Sequence, residues 1–128
     1  MRVVNLVVVL VATVAYAWTF AHEGGLGGAL FFFPFTMFPF VVAGILAWRW
    51  RTTAGLALLL AASLGYLAWF AFVFVDVTQV HPDPQGAIAF LFVGIYALPA
   101  LALLWAFGAI LEWRGRSNGY IGIHDDAR

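Results

Sequence analysis

The chain has 128 residues, no cysteine and no lysine, and only 9% of its residues carry charge. Without cysteine there are no disulfides, thiolate metal sites, haem attachments or thiol redox reactions. Small membrane enzymes that pass disulfides to quinones are excluded on the same ground. The formal net charge is zero, so there is no basic patch for nucleic acid. Enzyme signatures are missing too: there is no nucleophile elbow, Walker loop or H-E-x-x-H. The run Gly24-Gly25-Leu26-Gly27-Gly28 has neither a preceding strand nor a following Lys-Ser/Thr. It reads as a flexible turn that also permits close approach of another backbone.

What the chain does have is apolar. Hydrophobic residues make up 65% of it, far more than a soluble domain of this length carries. Four apolar runs can be marked, at about 3–21, 26–48, 53–75 and 85–111. Each is near or above the roughly 20 residues that cross a hydrocarbon core of about 30 Å. Backbone polar groups cannot stay free in that core, so each run is expected to be a helix. Period-2 alternation, the mark of a barrel, is absent. Short links join the runs and force neighbours antiparallel. The expected fold is an all-α membrane protein, a four-transmembrane-helix up-down antiparallel bundle over 1–114, with a polar tail at 115–128.

The charges fix an orientation. All six basic residues are arginines, and all lie on one side of this pattern. Arg2 precedes the first run, Arg49 and Arg51 separate the second and third, and Arg114, Arg116 and Arg128 follow the fourth. The other two links hold Glu23, Asp76 and Asp83. Positive residues stay inside, so both termini are expected in the cytoplasm of a multi-pass inner-membrane protein. Arginine without lysine, among abundant Ala, Gly, Leu and Val, suggests a GC-rich bacterial genome. The first run also resembles a signal peptide, with Ala15-Tyr16-Ala17 as a cleavage match. Because the apolar stretch continues through Trp18 and Phe20, retention is expected.

Aromatic rings agree with the arginines. Tyr16, Trp18 and Phe20 end the first run, while Trp48, Trp50 and Trp113 stand beside arginines. Amphipathic rings prefer the headgroup level, so Trp18, Arg49, Trp50, Arg51, Trp113 and Arg114 are expected at the lipid interface.

Four features bear on function. In the second run, Pro34 and Pro39 interrupt a phenylalanine-rich stretch and remove two backbone donors. They predict a kinked helix, read either as a hinge or aromatic groove for a lipid, quinone or carotenoid tail, or simply as a bent helix facing lipid. Small residues recur at helical spacing at Ala57, Ala61 and Gly65, and at Gly86, Gly94, Ala102 and Ala106. Such rows pack helices closely, either within the monomer or against another chain. His22, Glu23, Asp76, His81 and Asp83 gather on the outer side and are weak candidates for a metal site, or ordinary solvated loop residues. Finally, between their ends the four runs carry no Asp, Glu, Lys, Arg or His, which counts against proton-coupled transport.

The stretch from Asp83-Pro84-Gln85-Gly86 through Gly94-Ile95-Tyr96 resembles the start of the last helix in assorted small bacterial four-helix inner-membrane proteins. The resemblance covers about a tenth of the chain and implies no activity. Asp83 as a capping acceptor and Pro84 near the helix start account for it locally. The chain departs from small multidrug transporters, which carry a membrane-embedded glutamate in the first helix. It also departs from dual-topology fluoride channels, which lack a one-sided arginine distribution.

The functional expectation is a non-catalytic membrane protein acting through helix packing, as an accessory or assembly subunit of a membrane complex or as a homo-oligomer. A small transporter or channel is the alternative, and a lipid- or isoprenoid-binding membrane protein the third reading. Expected partners are the bilayer and other membrane subunits or itself, with no nucleic acid. No cofactor is expected beyond a bound lipid or isoprenoid.

Overall fold

The computed structural model describes the backbone of residues 1–23, 25–80 and 86–125, and side chains at 1–18, 30–77, 79–80 and 88–117. Four helices account for nearly all of it: α1 (Arg2–Glu23), α2 (Gly25–Arg49), α3 (Thr53–Val75) and α4 (Gly86–Asp125). A π-turn, Asp76–Val80, extends α3. Three of the helices are long and apolar enough to cross a membrane. In α1 the described apolar stretch, Arg2–Trp18, is shorter.

Local chemistry sets the boundaries. Thr52 caps α3: its backbone is extended, and its hydroxyl oxygen accepts from the Gly55 amide at 3.2 Å. At the other end the Asp76 amide bonds back to the carbonyls of Phe72 and Val73. Hydroxyls inside the helices are satisfied one turn back. Thr13 donates to Val9 O, Thr36 to Phe32 O and Ser63 to Leu59 O.

The contacts give a simple layout. α2 and α3 touch each other, and each touches both α1 and α4. Among the described residues, α1 and α4 do not meet. Two clusters fill the interior. The larger one centres on Tyr16, Met37, Phe40, Tyr66, Phe70 and Val93. The smaller one packs Trp50, Leu56 and Leu59 onto Ala43 and Ala47. Tyr16, the middle residue of the cleavage-like tripeptide, is fully buried, with its ring 5.8 Å from that of Phe33.

The fourth helix exceeds the expected run. It continues past Leu111 through Gly115 to Asp125, taking in most of the segment expected as a tail. Beyond Pro99 no proline interrupts it, and Glu112 and Arg116 pair one turn apart within it.

Candidate functional site

Two regions of the molecule concentrate polar or open geometry. The first lies where four helix segments meet: the start of α1, the end of α2, the start of α3 and the Glu112 turn of α4. The end of α2 leaves carbonyls without helix donors. Arg2 reaches across from α1, donating from Nε to Ala47 O at 3.1 Å and from Nη2 to Trp50 O at 2.8 Å. Arg116 donates to Arg49 O at 3.1 Å from the α4 side. Two of the arginines that mark topology in the sequence thus cap α2 from both flanks.

Glu112 holds the same turn from its other face. One carboxylate oxygen accepts from the Arg51 amide at 2.9 Å and from Arg116 Nε at 3.0 Å. The other accepts from the Thr52 amide at 2.8 Å and from the Thr52 hydroxyl at 2.7 Å. The side chain is buried. Glu112 falls just beyond the fourth apolar run, but α4 continues past Leu111, so it still lies within the helix and turns inwards. The sequence carries one signal of it, the i, i+4 spacing of Glu112 and Arg116.

Trp50 calls for a correction. Expected at the lipid interface, it is only 6% exposed. Gly108 on α4 makes the room, since a Cβ there would collide with the indole ring. Gly115 does the same for Thr52, whose Cγ2 would lie 2.6 Å from a Cβ at that position. The other interface candidates face outwards: Trp18, Arg49, Arg51, Trp113 and Arg114 are all exposed. Asn5 completes this end of the molecule. Its amide donates to Leu56 O at 3.0 Å and Met1 O at 3.2 Å, while its Oδ1 has no partner among the described residues.

The second region is a groove of about 410 Å³ between α3 and α4. Ala61, Gly65, Ala97 and Ala100 give it a low floor, and Trp69, Tyr96 and Leu104 stand at its sides. Trp69 spans the two helices, donating from its indole to Val93 O at 3.3 Å. The small-residue row behaves unevenly. Ala57 is half-buried, but Ala61 and Gly65 are exposed, and a Cβ on Gly65 would meet nothing within 4 Å. On α4, Ala102 and Ala106 are exposed as well. Among the described members of the row, Gly94 is the one buried in close contact, where a Cβ would strike the Phe35 carbonyl of α2. The side-chain site of Gly86 lies outside the described residues.

Gly94 also explains what the prolines do. Pro39 has no N–H, so the carbonyl of Phe35 four residues back loses its helix donor. That freed carbonyl is the one seated against Gly94. The α2 helix nonetheless continues through both Pro34 and Pro39, which border a small cavity of about 190 Å³ shared with Gly94 and Ile95. Nearby, the Tyr66 hydroxyl donates to Thr36 O at 2.7 Å. Two phenylalanines of α2, Phe35 and Phe38, line the small cavity together with the prolines. Phe31, Phe33, Phe35 and Phe38 are exposed, while Phe40 is buried against Tyr66 at 5.0 Å between ring centres.

The outer acidic and imidazole residues are a different case. Asp76 ends α3, whereas the side chains of His22, Glu23, His81 and Asp83 lie outside the described residues. Among the described residues no group of three His, Cys, Asp or Glu comes together. No family model, curated protein or solved structure matches the chain. Its function therefore rests on its own residues.

Proposed function

We propose that this chain is a multi-pass membrane protein, an up-down bundle with both termini cytoplasmic, that works by helix packing. It serves as an accessory or assembly subunit of a membrane complex, or as a homo-oligomer, and the α3–α4 groove is its docking face. One observation carries this reading. The row Ala61–Gly65 is small at helical spacing, yet among the described residues no helix covers it. In lipid, helices associate through close van der Waals packing over such small residues, not through apolar burial.

The chain has no cysteine of its own, so Ala61→Cys supplies a single reporter. In native membranes this variant is expected to crosslink to a neighbouring transmembrane segment, and Gly65→Leu in the same chain should abolish the crosslink. Native mass spectrometry in mild detergent gives the second reading. A strictly monomeric species with no co-purifying protein would count decisively against the proposal.

The same groove favours one further reading, in which an acyl or isoprenoid chain lies along it beside Trp69 and Tyr96. Stoichiometric lipid extracted with the purified protein, and lost in Gly65→Leu, would select this reading over a protein partner.

A further inference from the structure

The five arginines with described side chains sort into two groups. Arg2 and Arg116 are consumed internally, on α2 carbonyls and on Glu112. Arg49, Arg51 and Arg114 are exposed, and their side chains form no hydrogen bond or ion pair among the described residues. At this end the described side chains include five guanidiniums and one carboxylate. That carboxylate, Glu112, already accepts from four donors. Among the described side chains, the positive charge of Arg49, Arg51 and Arg114 therefore has no counterpart.

We infer that Arg49, Arg51 and Arg114 bind the phosphates of anionic phospholipids in the leaflet at this end of the molecule. Three observations support it. The charge is complementary and unspent. Next, the backbone beneath two of the arginines is pinned: the Arg51 amide is tied to Glu112 and the Arg49 carbonyl to Arg116. Lipid binding thus orders only the side chains, which limits its entropic cost. The depth is right as well, because Trp48 and Trp113, 74% and 70% exposed, flank these arginines with rings that favour the headgroup level. A planar guanidinium matches a phosphate with two parallel hydrogen bonds. Zwitterionic lipids offer the same phosphate with a cation attached, so net anionic lipids are selected.

The test uses the full chain in mild detergent, incubated with an equimolar mixture of phosphatidylglycerol and phosphatidylcholine and read by native mass spectrometry. Bound phosphatidylglycerol should exceed phosphatidylcholine. The excess should fall by roughly fivefold for each guanidinium removed in Arg49→Gln, Arg51→Gln and Arg114→Gln. None of the three side chains makes an internal bond among the described residues, so helix content should match the parent. If the triple variant does not fold, the three single variants, each expected to lose part of the excess, decide the matter. Equal retention of both lipids by the parent overturns the inference, as does an undiminished excess in the variants. Displacement of the lipid by millimolar inorganic phosphate would also overturn it, since the site would then belong to free anions and not to the bilayer.

Discussion

Glu112 concentrates more hydrogen bonding than any other side chain described. Replacing it with Gln keeps the size but sets an amide NH₂ against N–H and O–H donors. The amides of Arg51 and Thr52 then compete for one carbonyl oxygen, and a buried donor left without an acceptor costs about 1–3 kcal/mol. Glu112→Gln is therefore expected to lower the thermal midpoint in mild detergent, and an unchanged midpoint would refute the clamp. Gly108 is the apolar counterpart. Gly108→Ala drives a methyl into the Trp50 ring and should cost about 1–3 kcal/mol, a typical penalty for overpacking. Neither partnership is legible along the chain. Glu112 follows an apolar run and reads as its end, and its backbone partners lie some sixty residues away. Trp50 sits between two arginines and reads as an interfacial ring, because the glycine that admits it stands on another helix.

Helix by helix, the sequence is a better guide. The third helix occupies 53–75 as expected, and the first two begin and end within a few residues of the apolar runs. Run length and the need to satisfy backbone groups in lipid are local properties, so they survive without tertiary information. Which face of a helix turns inwards is not local, and the small-residue rows show it. Gly65 opens onto empty space while Gly94 holds a backbone carbonyl, although both are glycines at comparable spacing. Gly94→Ala should therefore destabilise the α2–α4 contact clearly, whereas Gly65→Ala should leave the fold intact. Circular dichroism melts of the two variants separate them, and equal melts would contradict this geometry. Pro39 and Gly94 should also be coupled. Pro39→Ala restores a donor for Phe35 O and draws that carbonyl back into its helix, so it should soften the Gly94→Ala defect. A double-mutant cycle is expected to show an interaction of about 0.5–3 kcal/mol.

For the whole molecule, the arginines bear on orientation. With positive residues held inside, a C-terminal fluorescent reporter that matures only in the cytoplasm should light up, and alkaline phosphatase fused at the same point should stay inactive. The opposite pattern would invert the proposed topology. Composition and charge asymmetry are whole-chain quantities, so the sequence speaks at this scale most directly. It is silent on the groove, which needs α3 and α4 to bring their alanines and glycine to one floor.

The Glu112 contacts have a consequence for biosynthesis. Glu112 leaves the ribosome some sixty residues after the turn it secures. Until then the amides of Arg51 and Thr52 wait without their acceptor, and Arg2 alone guards the end of α2. A chain released early, after three helices, would expose that unfinished turn at the membrane surface. The last helix therefore completes the turn between α2 and α3 only after both of those helices have been made.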